Sequence, residues 1–244
     1  MHDITMGDSP VPGLPNLHVV YVGYPDYVQL IVEFTSFVLV TDAPAHRSHI
    51  VIDWVAENLH KPIKYIVPSH HHRDHAGGIA DYVRAGSTIV VPDFAMSFYE
   101  LVNGGNVSFH TYSIDSPFIS KDEQADIQFR SMASLEAPHA RDWTYAVVSA
   151  ACANGTTPVV AYNADVWSPT DNDKGMHWDM GYARQWLKMA EKDGLSRNAI
   201  VVGTHGSTKN GTSTTEKLEV LIDVTGYDYP NIGWGGWKAG GRWC

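Results

Sequence analysis

Ten consecutive residues, Ser69-His70-His71-His72-Arg73-Asp74-His75-Ala76-Gly77-Gly78, constrain this chain more than any other stretch. They follow the apolar run Ile63 to Pro68 and precede a segment with helical spacing, and they pack four imidazoles and a carboxylate into six residues. Side chains two apart on an extended segment point the same way, so His70 and His72 can hold one cation while His71 faces elsewhere. Asp74 and His75 fall where the chain turns into the helix, placed for a second cation nearby. The Gly77-Gly78 pair lets the backbone fold tightly and approach the ions. A metal-scavenging His tract would sit at a terminus, without a strand before it and a helix after.

The chain around this loop alternates strands and helices. Leu17 to Gly23, Tyr27 to Phe34 and Phe37 to Thr41 read as successive strands, rich in Val, Ile, Tyr and Phe and parted by short turn signals. Ile50, Val51, Trp54, Val55 and Leu59 recur at helical spacing between Arg47 and Leu59. Strand Ile63 to Val67, a helix from Ala76 to Ala85 and strand Thr88 to Val91 complete a β-α-β-α-β order, which predicts parallel pairing. A helix over Phe94 to Val102 and a strand over Val107 to Tyr112 follow, and Ser113 to Gln124 reads as polar turn. Asp126 to Leu135, Trp143 to Ala151 and Pro158 to Tyr162 form a second meandering strand group. Helix Met180 to Lys192, strand Ala199 to Val202 and helix Thr214 to Val224 close the pattern. Strand groups in both halves, each followed by helices, predict two sheets face to face with helices outside: an α/β (α+β) chain arranged as a four-layer αββα sandwich. The expected division is an N-terminal segment 1–16, a domain 17–225, and a Gly/Trp-rich tail 226–244 packed on it.

Two cations need more donors than one loop offers, since each zinc takes about four ligands. His139 follows the strand ending near Leu135, Asp165 the strand ending near Tyr162, and His205 the strand ending near Val202. Each donor sits just past an apolar strand, where loops gather at a sheet edge. Singly these are weak signals.

As an ordered set they resemble the metallo-β-lactamase superfamily, with its His-x-His-x-Asp-His signature, downstream His, then Asp, then a Gly-His-Gly-like His. The match spans nearly the whole chain, from Asp42 after the third strand to His205. The resemblance implies that His70, His72 and His139 hold a first metal, that Asp74, His75 and His205 hold a second, and that Asp165 bridges them. It implies that Asp42 orients the His loop, with a strand-end cap as the alternative. His71 and Arg73 fill variable positions and receive no ligand role. Asp142 orients a ligand His or shapes a turn, the turn being favoured. Familiar β-lactamases of this superfamily place Cys at the bridging position or lack the bridging Asp, so Asp165 points toward lactonase, thioesterase and phosphodiesterase relatives. Flavodiiron oxidoreductases carry Glu where this chain has His72, and glyoxalase II enzymes append a helical substrate domain for which little chain remains after His205.

Composition excludes some functions. The formal net charge of −10 and the lack of a basic run disfavour a groove that grips nucleic-acid phosphates. No run of about eighteen apolar residues exists to cross a membrane, and Met1 to Asn16 reads as neither a secretory h-region nor a transit peptide. Cys152 and Cys244 are the only cysteines and leave a disulfide or two free thiols open. Asn106, Asn154 and Asn210 occupy glycosylation sequons. Compartment and oligomeric state stay open.

The expected function is a metal-dependent hydrolase with two Zn2+ per chain, iron or manganese being the alternative metals. A zinc-bridging hydroxide would attack a small ester or lactone, with Asp74 and Asp165 as the catalytic carboxylates and Trp143 and Trp167 as either an apolar substrate wall or core packing. The partner expected is a small-molecule substrate, with neither nucleic acid nor membrane. The rival readings are a mononuclear iron oxygenase of the persulfide dioxygenase type, hydrolysis of a thioester, β-lactam or phosphodiester on the same site, and a non-catalytic metal-binding module.

Overall fold

The computed structural model describes residues 4–7, 9, 11–22, 27–102, 106–136, 139–151, 157–167, 180–205 and 215–237. Alternation within the strands builds the layers. In β2 (Leu17–Val22), Leu17, Val19 and Tyr21 face one apolar cluster while Val20 and Val22 face another. In the strand Thr144–Ala150, Ala146 and Val148 turn to the first cluster and Tyr145 and Val147 to a third. Successive side chains of a strand point to opposite faces, so strands that are apolar at every position need cover on both sides.

That cover defines an αββα sandwich. One sheet runs in chain order: β1 (Ile4–Gly7), β2, β3 (Tyr27–Glu33), β4 (Val38–Thr41), β5 (Ile63–Val67), β6 (Thr88–Pro92) and β7 (Phe109–Tyr112). The other contains β8 (Phe118–Lys121), β9 (Ala125–Ser131), β10 (Thr144–Ala150), β11 (Val159–Asn163), β12 (Ile200–Gly203) and β13 (Thr215–Lys217), in spatial order 13-12-11-10-9-8. Leu30 and Val32 meet Ile127, Phe129, Val148 and Val160 between the sheets. Outside the first sheet lie α1 (Ser48–Asn58), which buries Val51 and Val55, α3 (Ile79–Arg84), which buries Ile79, Tyr82 and Val83, and the short α4 (Met96–Tyr99), which buries Tyr99. Outside the second lie α5 (Met180–Asp193) and α6 (Leu218–Thr225). Ala183, Trp186, Leu187 and Ala190 recur at helical spacing on α5 and form the stripe it buries.

Parallel pairing positions the site. β4 pairs parallel with β5, and β11 with β12, so Asp42, the His loop, Asp165 and His205 leave their strands at matching ends. The two sheets meet there, where Val28 N donates to Thr204 O at 2.9 Å and Tyr27 bridges to His205.

Four sequence expectations change. The helix expected over Ala76 to Ala85 divides into α2 (Arg73–Ala76) and α3. Gly78 N donates to Ala43 O at 2.7 Å and Gly78 O accepts from Ser48 Oγ at 2.9 Å, so contacts with the 42–48 segment break the helix. A Cβ at Gly78 would lie 2.0 Å from Ser48 Oγ, and one at Gly77 2.5 Å from Arg73 O. The glycine pair therefore allows close backbone packing beside α1. Ser113 to Gln124 contains β8, whose Phe118 and Ser120 are buried in alternation. The helix expected from Thr214 begins only at Leu218, because Thr215 to Lys217 pair with β12 as β13. Ile4–Gly7 adds a strand beside β2 in a segment read without one. Cys152, Cys244, Asn154 and Asn210 lie outside the described residues, and Asn106 is exposed.

Candidate metal centre

The chain leaves β5 at Pro68 and crosses to α2 through His72, whose φ of −62° and ψ of 152° are extended. This geometry turns His70 and His72 to one place and puts Asp74 and His75 on the first turn of α2. One donor atom from each of His70, His72, His139 and Asp165 falls within 4.8 Å of the others. Asp74, His75, Asp165 and His205 form a second group within the same limit.

Asp165 belongs to both groups. Its Oδ2 lies 3.3 Å from His70 Nε2, 3.2 Å from His139 Nε2 and 3.1 Å from His75 Nε2. Its Oδ1 lies 3.0 Å from His205 Nε2. Asp74 Oδ2 closes the second group at 3.2 Å from His205 Nε2 and 3.4 Å from His75 Nε2.

This donor set suits a divalent cation. His70 Nε2 and His75 Nε2 are buried and make no well-aligned hydrogen bond, an arrangement that costs free energy unless another partner takes the lone pairs. Nitrogen and carboxylate donors without sulfur match zinc, and also iron or manganese.

Charge and burial compete throughout the cluster. Burial, against the pull of Asp165, pushes the His70 imidazole down to about 4. Burial followed by the His139 and His71 rings lowers His72. Burial opposes charge on His205, but hydrogen bonds to Asp165 and Asp74 prevail and raise it to about 9. Burial likewise opposes charge on His75, and Asp42, Asp165 and Asp74 together raise it well above its usual range. Asp74 is held far below the carboxylate range by His205 and His75. Asp165, despite burial, is held there by His139, His205, His70 and His75.

Supporting contacts fix the rings. Asp42 Oδ1 accepts from Ser69 N at 2.6 Å, and Oδ2 accepts from His75 Nδ1 at 2.9 Å and from the Tyr162 hydroxyl at 2.7 Å. With its Nδ1 donating, His75 turns Nε2 toward the donor group. Gln29 Nε2 donates to Asp42 O at 2.6 Å. Asp42 and Asp165 both adopt left-handed backbone, with φ of 56° and 58°. That conformation is rare for residues with a Cβ, although Asp tolerates it better than most, and it clusters at functional sites.

The structure brings together all seven donors named from sequence: His70, His72, Asp74, His75, His139, Asp165 and His205. His71 and Arg73 join neither group. Asp142 lies in a turn, as the sequence suggests, and its Oδ1 also accepts from His71 Nδ1 at 2.7 Å. Trp143 is fully buried with Nε1 donating to Ala164 O at 2.8 Å, and its ring stands 5.5 Å from that of His139. Trp167 is buried in the same cluster. Both are core packing, and Trp143 backs a donor ring, so neither forms a substrate wall. Sequence reasoning missed Tyr162, Ser69 and Gln29. Tyr162 sits 120 residues from Asp42, and nothing local in the chain marks that pairing.

No family model matches the sequence, and no curated protein matches it. Solved structures share the architecture. The metallo-beta-lactamase from Pontibacter korlensis has a TM-score of 0.63 at 15% identity, over 93% of this chain and 100% of that one. FIM-1 from Pseudomonas aeruginosa, a metallo-beta-lactamase in its mono-zinc form, gives 0.62 at 18% identity over 91% and 92%. The metallo-beta-lactamase IND-7 gives 0.61 at 14% identity over 92% and 98%. Identities this low carry the fold and leave activity to the site. By architecture, with two His/Asp groups at one edge of its paired sheets, the chain has the metallo-β-lactamase fold.

Proposed function

We propose that the protein is a metal-dependent hydrolase that holds two zinc ions and cleaves a small ester or lactone. The observation that carries this reading is the pair of four-donor groups sharing Asp165. His70, His72 and His139 would hold one ion, Asp74, His75 and His205 the other, and Asp165 would contact both. Zinc held there would polarise a carbonyl oxygen and lower the pKa of bound water to about 7.

The chain's own residues supply orientation and proton handling. Asp42 aims His75, and Ser69 Oγ stands 3.2 Å from His70 Nδ1 and 3.3 Å from His75 Nδ1. Asp165 is mostly buried while Asp74 is 38% exposed, so Asp74 is the carboxylate better placed to pass a proton to solvent. A cavity of about 790 Å3 beside α5, lined by Arg130, Arg184 and Lys188, includes none of these donors and is not where this chemistry occurs. The β-lactam alternative is motivated by the solved structures that share the fold, whereas the carboxylate between the two groups favours esters and lactones.

Metal content is measured alongside turnover of ester, lactone, thioester, β-lactam and phosphodiester substrates, before and after chelation. Two zinc ions per chain with chelator-sensitive ester or lactone hydrolysis is the expected result. Less than about one metal per chain, or turnover that ignores chelation, would sink the proposal. Iron with oxygen consumption would transfer it to the dioxygenase reading.

A further inference from the structure

Asp142 is 1% exposed, at the end of the loop that carries His139, and both of its oxygens are engaged. Oδ1 accepts from His71 Nδ1 at 2.7 Å and Oδ2 accepts from the Tyr99 hydroxyl at 2.8 Å. Burial and then the Asp142 charge push the Tyr99 hydroxyl well above its usual range, which keeps it a donor. A buried carboxylate is costly unless it is fully hydrogen-bonded, and this one holds a histidine outside both donor groups.

His71 itself is not buried. Its side chain is 37% exposed and its ring stacks on Phe98 at 4.5 Å with an 18° interplanar angle. Phe98 is 44% exposed, and the His71 ring lies 5.0 Å from that of His72. A carboxylate can only accept, so His71 Nδ1 donates to Asp142 and Nε2 is the ring nitrogen left for another partner. Among the described residues nothing meets Nε2. The result is an aromatic ledge at the rim of the first donor group, with one ring nitrogen unpartnered on it.

We propose that His71 is a substrate-binding residue, its Nε2 accepting a hydrogen bond from an N–H or O–H near the scissile carbonyl while the His71–Phe98 ledge packs against the substrate's apolar part. Asp142 and Tyr99 are positioning residues that set the ring's tautomer and angle. The inference rests on the hydrolase reading and narrows its substrates to esters or lactones that carry a hydrogen-bond donor beside the carbonyl.

The test uses the zinc-loaded protein and two esters of one alcohol, a 2-hydroxyacyl and a 2-methoxyacyl ester, which differ in the donor. The wild type should prefer the hydroxy ester by about tenfold in kcat/KM, the size of one hydrogen bond to a neutral partner. His71→Phe keeps a ring on Phe98 and removes Nε2. It should erase that preference, chiefly by raising KM for the hydroxy ester, and should retain both zinc ions. The imidazole 1H–15N spectrum should show His71 protonated at Nδ1 in the wild type and a tautomer mixture in Tyr99→Phe. An undiminished preference in His71→Phe, or a proton on Nε2 in the wild type, overturns the proposal. If the loaded wild type cleaves neither these esters nor any substrate of the wider panel, the hydrolase reading fails separately. The His71 resonances, followed as each ester is added, then decide the contact: a shift with the hydroxy ester alone supports it, and no shift or equal shifts overturn it.

Discussion

The Asp42 carboxylate meets His75 Nδ1 at 2.9 Å, tying the aspartate after β4 to a donor on α2. Partners of this kind typically contribute 10- to 100-fold to metal affinity. Asp42→Asn should weaken zinc binding at the His75 group by about that factor while the His70 group loses less. Calorimetric zinc titration reads both sites. Unchanged affinity would reduce Asp42 to a turn residue.

Asp165 supplies an oxygen to both groups, so its loss should not be local. Asp165→Ala is expected to leave less than one zinc per chain after dialysis, whereas His205→Ala should retain close to one. Two tightly held ions in Asp165→Ala would refute the shared role.

Alternation along the loop makes a sharper prediction about neighbours. His72→Ala should lower metal content, because its ring belongs to the first donor group, while His71→Ala should keep both ions. Equal losses in the two variants would contradict the alternation.

Gly78 and Gly181 separate steric need from helix propensity. A Cβ at Gly78 would lie 2.0 Å from Ser48 Oγ and 2.7 Å from Pro44 O, whereas one at Gly181 meets nothing within 4 Å. Gly78→Ala should cost about 1–3 kcal/mol by overpacking and weaken zinc binding by displacing α2. Gly181→Ala should be neutral or stabilising by up to about 1 kcal/mol. Thermal unfolding of the two variants compares them directly.

Asp122 links the sheets, accepting from Thr35 N at 2.7 Å, and caps its own turn by accepting from Gln124 N at 2.8 Å. Burial opposes the ion, but these backbone donors hold the carboxyl below its usual value. A depressed folded-state pKa adds stability that is fully present above the unfolded value of about 3.9 and is lost as pH falls through the folded value. Asp122→Asn should therefore show a shallower fall in urea midpoint below about pH 4 than the wild type. Parallel curves would remove Asp122 from the acid transition.

Much of the fold was legible because burial on both faces demands apolar strands, and β3, β5 and β11 read that way directly. Errors fell where a tertiary partner overrode local pattern. Thr215 to Lys217 have no strong strand signature and extend only because β12 offers an open edge. The α2–α3 break follows from hydrogen bonds to the 42–48 segment, more than twenty-five residues upstream.

The sequence by itself determined the donor chemistry: His and Asp at strand ends, a loop whose alternation separates His71 from His70 and His72, and two sheets to carry them. Only the tertiary structure decided that Tyr162 and Ser69 hold Asp42 in place, that Trp143 backs His139, and that Asp142 serves His71. The physical reason is distance along the chain. Periodicity reports which face a residue presents, whereas a hydrogen bond between Asp42 and Tyr162, 120 residues apart, exists only once two sheets have packed.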